Sequence, residues 1–414
     1  MLARRPALAL AIAIAVVAAG FALLWTTARA RPQRRAPLHP PAGAASAVTP
    51  GKQLADRPVE EWTARLIEYR EAGAWEPLRR DLEDLRARKP QEFRENALGY
   101  LLARVLVELE EYGEASRALA PFLADGSPFE PLARRHQIAI LAGLGDETAA
   151  AGAREELIFE HPDSIWRGEE IDAHLAFLAE EDARELIRFA ERLRPSAPTA
   201  LRRELDARIA EAQWELGQRR EAIARALRVL RGGTNDDPAE RAFRLLDDSA
   251  VLASLAAEDL ALVGDAASDH RHYDAAIEIL ERALDALPAK APDLLFAIGR
   301  SQFGAERFDE AEATYLRGAS SATDPERKAT FYFHAARAAQ LRGEDDRAIR
   351  HMTRAIGIRG NFDATSAALT QRMRTKLRRG DIAGGVSDLR QLERLLPKSA
   401  ARAEASIQLA TYLV

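Results

Sequence analysis

The feature that most limits what this chain can fold into is a frame of small residues that recurs every 35 to 37 positions. Gly264, Ala276 and Leu280 are followed 35 residues on by Gly299, Ala311 and Tyr315, and a further 37 on by Ala336, Ala348 and Met352. Within Pro292–Pro325, Leu295, Ile298, Gly299 and Gln302 fall at helical spacing, and so do Phe308, Ala311, Tyr315 and Gly318. That pattern predicts two amphipathic helices joined by a tight turn. Helices approach to about 8–10 Å only where a small residue sits at the crossing. Gly299 and Ala311 are expected to serve that purpose, and Tyr315 to fill the seam. A chain of 414 residues is too long for one small core, but an array of hairpins escapes that limit because each unit packs on its neighbours.

The same frame is readable along most of the chain. Trp62, Leu66, Tyr69 and Gly73 open the first hairpin, with Leu78, Leu82 and Leu85 after the turn and Pro90 at its end. Ala103, Leu106, Ala115 and Leu119 mark a second hairpin, and Gly145, Ala150 and Leu157 a third. Trp214, Gly217, Ala222 and Ala226 mark one more, and further helical pattern lies near Glu181–Leu193. Gly232-Gly233-Thr234-Asn235 breaks the chain before a helix at Pro238. Gly343, Gly380, Gly385, Leu389 and Leu392 continue the frame, and the last stretch, from Ala401, reads as the first helix of another hairpin. No alternation typical of strands competes.

With its period near 34 and its small and large slots, the frame resembles the tetratricopeptide repeat. The resemblance covers roughly residues 58–414. It implies an all-α, right-handed α-solenoid of helical hairpins whose first helices line a concave, partner-binding surface. The array divides at 235/236 into N-terminal helical repeats, 56–235, and more regular C-terminal repeats, 236–414.

Ahead of the array, Arg4 and Arg5 precede an uncharged apolar run, residues 7–25, and Ala28-Arg29-Ala30 offers a small-x-small cleavage pattern. This is the layout of a signal peptide or a membrane anchor over 1–30. Residues 31–55 are rich in proline and arginine and form the expected linker. Export to a periplasm, free or anchored to the inner membrane, is the expected localisation, with residues 7–25 in contact with the membrane.

Composition excludes several classes of function. The chain has 64 acidic and 59 basic residues and no cysteine. Disulfides, thiolate catalysis and cysteine-rich zinc sites are ruled out, and no basic footprint for nucleic acid is present. No phosphate loop, dinucleotide fingerprint, zinc-protease helix or nucleophile elbow occurs. Asp269, His270 and His272 are read as a polar turn rather than a metal site, and Asp236-Asp237, Asp247-Asp248 and Asp345-Asp346 as helix starts. No catalytic residue, cofactor or metal is expected.

The candidate contact residues come from register. Arg300, Arg337 and Arg374 occupy one slot in three successive first helices, 37 residues apart each time. In register, their planar donors suit carboxylates or phosphates. The alternative is that each pairs with an acidic residue on a neighbouring helix. Phe296, Phe333 and Gln340 are placed on nearby faces, with Phe333 a candidate contact.

A narrower resemblance is to the non-catalytic superhelical part of soluble lytic murein transglycosylases. FYFHAARAAQLRGEDDRAIRHM is similar to the hairpins that precede their catalytic domain. The E-S-x-F and G-L-M-Q strings of that domain are absent from this sequence, so no catalytic residue carries over. The sequence therefore supports an exported, non-catalytic scaffold for a protein or cell-wall partner. Its alternative is the superhelical portion of a peptidoglycan-cleaving enzyme.

Overall fold

The computed structural model describes residues 54–124, 127–358, 363–395, 397 and 400–413. The predicted signal or anchor and nearly all of the linker lie outside these residues. Among the described residues there are only helices, and none is long and apolar enough to cross a membrane. The chain divides into two compact units at Phe177/Leu178. The sequence boundary at 235/236 falls inside the second of them.

The first unit holds α1 (Val59–Glu71), α2 (Trp75–Arg88), α3 (Pro90–Glu95), α4 (Leu98–Glu108), α5 (Tyr112–Leu119), α6 (Glu130–Gly143), α7 (Glu147–Glu160) and most of α8 (Arg167–Glu181). The second unit continues with α9 (Ala183–Leu193), α10 (Thr199–Glu215), α11 (Arg219–Arg231), α12 (Asp237–Leu246), α13 (Ser249–Ser254), α14 (Ala257–Asp269) and α15 (Tyr273–Ala286). It closes with α16 (Ala291–Gly304), α17 (Phe308–Ser321), α18 (Pro325–Leu341), α19 (Asp345–Gly357), α20 (Asp363–Arg378), α21 (Ile382–Leu395) and α22 (Ala400–Leu413).

One turn repeats inside the hairpins. In the α16–α17 hairpin the amide of Glu306 donates to Phe303 O at 3.1 Å, and that of Arg307 to Gln302 O at 2.8 Å. This is a Schellman motif, which satisfies orphan carbonyls at a helix end and needs a left-handed residue. The same pair of bonds recurs at Gly73, Glu110, Gly145, Gly217, Arg271, Gly343 and Gly380, all at positive φ. Glycine occupies the position at five of the eight sites. Glu110, Arg271 and Glu306 hold φ of 60°, 65° and 61° without it, so counting turn glycines finds only some of the hairpins.

The small-slot prediction holds in space. A Cβ on Gly299 would stand 2.6 Å from the Tyr315 ring, and one on Gly264 the same distance from Leu280. Tyr315 and Leu280 are fully buried, as are Ala276 and Ala311. Gly318 is closed off in the same way by the ring of Phe331 on the next hairpin. Burial of this kind, at about 25 cal/mol per Å² of apolar surface, is what holds successive hairpins together. In the first hairpin Leu78, Leu82 and Leu85 are each 0% exposed.

The least regular part is Glu181–Ser254. Asp182 joins α8 to α9 as a one-residue cap, its carboxylate accepting from the Arg184 and Glu185 amides. Asp236 and Asp248 cap α12 and α13 in the same manner, as helix-start residues. Asp269, His270 and His272 point to separate partners. Asp269 accepts from Thr234 Oγ1 at 2.6 Å, His270 faces Glu240 at 3.9 Å, and His272 stacks on Phe243 with ring centroids 4.9 Å apart.

Candidate functional site

The first helices of three successive hairpins, α16, α18 and α20, and the helix that follows them, α22, line an open groove of about 720 Å³ in the second unit. Its walls carry two aromatic rings from α16 and α18, Phe303 and Phe333, and Tyr412 from α22. Leu341 and Tyr412 are 58% and 44% exposed. Large apolar side chains left this open on one surface are a mark of an interaction site. Three arginines also line the groove, Arg337, Arg374 and Arg378, together with three glutamines, and no carboxylate is among the lining residues.

The arginine slot explains this charge pattern. Its members in successive first helices are Asp265, Arg300, Arg337, Arg374 and Gln408. Arg300 turns back to α14, reaching Asp265 at 3.3 Å and Asp269 at 3.1 Å. Arg374 turns forward to α22, with Glu404 at 2.5 Å. Arg337 has an arginine on either side of it in the slot. It lies 5.1 Å from the Phe303 ring centroid and has no acidic partner among the described residues. A cation over an aromatic face gains about 0.5–1 kcal/mol at an exposed site, less than a well-made hydrogen-bonded ion pair.

The four predicted contact residues therefore separate. Phe333, Arg337 and Arg374 come together in the groove, whereas Arg300 is outside it and ion-paired. The floor is a polar ladder. Gln371 Nε2 donates to Gln340 Oε1 at 3.0 Å, Gln340 Nε2 to Thr375 Oγ1 at 2.6 Å, and Arg374 Nη1 to Gln371 Oε1 at 3.4 Å. Gln340 lines the groove, while Phe296 packs into an aromatic cluster with Tyr315, Phe331 and His334. Burial in that cluster, reinforced by Arg337, lowers the His334 pKa to about 4, so the imidazole is neutral at pH 7.

A second concavity escaped the sequence reading. In the first unit a cleft of about 530 Å³ opens among α1, α2, α4, α6, α7 and α8. Tyr100 stacks on Phe129, centroids 5.3 Å apart, and its hydroxyl is hydrogen-bonded to His136 Nδ1. Burial holds the His136 imidazole well below its usual pKa and pushes the Tyr100 phenol up. The phenol is therefore the donor and the neutral imidazole the acceptor. Arg135 lies 5.2 Å from the Trp166 ring centroid. The available signal was the 36-residue step from Tyr100 to His136 in successive first helices, parallel to the 37-residue step from Phe296 to Phe333.

No family profile and no curated protein matches the chain. Solved structures give low-identity likenesses. One is to a chain of the Naa15/Naa10 structure bound to HypK-THB, at 14% identity and TM-score 0.44, covering 84% of this chain and 54% of that one. Another is to the C-terminal part of a TPR repeat-containing protein from Cytophaga hutchinsonii, at 12% and 0.33, covering 74% and 98%. A third is to BtubC from P. vanneervenii, at 17% and 0.31, covering 53% and 90%.

Proposed function

We propose that this protein is a non-catalytic scaffold whose second-unit groove holds an acidic polypeptide segment bearing apolar side chains. The observation that carries this reading is Arg337, a guanidinium in a groove without lining carboxylates, flanked in its slot by two arginines whose own acids lie elsewhere. A carboxylate from a partner would give Arg337 the charge-assisted hydrogen bond that no described residue supplies. Phe303, Phe333, Leu341 and Tyr412 would take the partner's apolar side chains, and the glutamine ladder its backbone amides and carbonyls. Arg374 is a second contact, already half satisfied by Glu404. Arg300 is assigned to the structure rather than to the partner.

We place the scaffold in the cell envelope, exported or anchored. Supporting this are the apolar run 7–25 and the small-residue pattern at Ala28-Arg29-Ala30. A fusion to a reporter active only outside the cytoplasm tests it, and reporter silence would reverse it. A peptidoglycan partner, following the narrower resemblance to lytic transglycosylases, is the rival occupant of the groove, since exposed rings also stack on sugars.

The deciding experiment titrates the full chain with two fluorescent dodecapeptides that share Leu and Phe positions but carry Glu or Lys between them, and with purified sacculi in a sedimentation assay. Binding of the Glu peptide alone, weakened about tenfold or more by Arg337→Ala, is the expected result. Equal binding of the Lys peptide overturns the acidic-partner reading. Retention on sacculi that Arg337→Ala abolishes moves the assignment to the cell wall.

A further inference from the structure

The first-unit cleft has a chemistry of its own. Its volume of about 530 Å³ lies within the range of about 300–1,000 Å³ typical of small-molecule sites. Trp75, Tyr100, Phe129 and Trp166 line it among aliphatic side chains. Four arginines line it as well, Arg70, Arg104, Arg135 and Arg154, against three glutamates, Glu108, Glu169 and Glu170. Each arginine has a carboxylate within 4 Å: Arg70 has Glu71 at 3.8 Å, Arg104 Glu108 at 3.2 Å, Arg135 Glu169 at 2.6 Å and Arg154 Glu170 at 3.6 Å. Burial depresses the Arg104 guanidinium against the pull of Glu108 at 3.2 Å.

Arg154 differs from Arg104 and Arg135 in being paired without a hydrogen bond. Its side chain is 14% exposed, and its only ion-pair partner among the described residues, Glu170 Oε2, stands 3.6 Å from Nε. That Nε is buried and makes no hydrogen bond. By contrast, Arg135 holds Glu169 at 2.6 Å. Buried guanidinium groups are normally both paired and hydrogen-bonded, because burying one without acceptors is costly. Arg154 has the pair and lacks the bond.

We propose that this cleft binds a small amphiphilic anion, with its apolar body among Tyr100, Phe129 and Trp166 and its acid group accepting hydrogen bonds from Arg154. The ligand supplies the hydrogen-bond acceptor that Arg154 lacks among the described residues. The aromatic walls account for an apolar body, and the incompletely bonded Arg154 for the acid group. This site is separate from the acidic-peptide groove and does not depend on it.

Two dyes with the same body separate charge from apolar fit. The probes are 1-anilinonaphthalene-8-sulfonate, an anion, and N-phenyl-1-naphthylamine, which is neutral, each titrated into the full chain with fluorescence of the dye and of tryptophan as readouts. The anion is expected to bind at one saturable site about tenfold or more tighter than the neutral dye. Arg154→Gln should bring the two dyes to equal affinity. Glu170→Gln removes the competing carboxylate and should tighten the anion severalfold, an opposite sign that misfolding does not produce. Competition by laurate or by 1-naphthoate then tells a chain-like acid from a flat one. The Glu dodecapeptide should displace neither. Equal binding of both dyes to the unmodified chain, or an anion affinity unmoved by both substitutions, overturns the proposal.

Discussion

The two concavities are built from the same frame and differ in how their arginines are satisfied. In the first-unit cleft, Arg135 faces Glu169, Arg104 faces Glu108 and Arg154 faces Glu170, all beneath aromatic walls. In the second-unit groove the slot repeats arginine instead of alternating its sign, so Arg337 finds only arginines beside it while Arg300 and Arg374 reach outward for acids. A repeat array copies position, and charge at the copied position decides whether a surface is closed on itself or open to a partner. The cleft is nearly neutral and deep; the groove is cationic and shallow. Each also has a neutral, half-buried histidine against aromatic rings, His136 in the cleft and His334 behind the groove.

The largest effect that would break the contrast is a substitution in the second unit's small slots. Gly318→Val drives a branched side chain into the Phe331 ring, and overpacking of this kind costs about 1–3 kcal/mol or more. Peptide binding should fall while the cleft still takes the anionic dye. If both are lost in one thermal transition, the two surfaces belong to one cooperative unit.

Acid should act next. His334 has a folded pKa of about 4, below the ordinary 6.5, so the unfolded chain binds the extra proton. Stability then rises with pH across this window. It is complete above about 6.5 and is lost as pH falls toward 4, on the order of 3 kcal/mol in all. His136 is depressed by the same cause and acts in the same sense. His334→Phe should flatten the pH dependence measured by urea unfolding at pH 7 and pH 4.5, and His136→Phe should flatten the remainder. A slope unchanged by either replacement removes the histidines from the explanation.

Binding to the groove should discriminate within one slot. Arg337→Ala is expected to weaken the Glu peptide about tenfold or more, and Arg300→Ala less than about twofold, because Arg300 is engaged with Asp265 and Asp269. Equal losses would mean that Arg300 leaves its acids to join the groove.

The smallest expected effect concerns the turn. Glu306 sits at φ 61°, where a side chain costs about 1–2 kcal/mol and glycine costs flexibility instead. Glu306→Gly should raise stability by about 0.5–1 kcal/mol, and Gly343→Ala, at φ 78°, should lower it by a similar amount. Thermal melts of the two variants check the pair.

Helical class, hairpin period and the partnership of Gly299 with Tyr315 were legible in the sequence, because backbone hydrogen bonding and close packing are local and recur with the chain. The turn at Glu306 was less legible: its conformation is set by the Schellman bonds to Phe303 and Gln302, and glutamic acid carries no mark of it. The arginine slot was legible as a register of positions, but not the fates of its members. Arg300 and Arg337 are identical in sequence terms. Only the fold shows that one has two aspartates on the preceding first helix and the other has a phenylalanine ring. Of the cleft only the 36-residue step from Tyr100 to His136 was legible, since Tyr100, His136, Arg154 and Trp166 lie on different helices or their flanks and meet only after packing. Periodicity along the chain fixes where side chains stand, whereas Coulomb energy and desolvation depend on what stands opposite, and that is decided between helices.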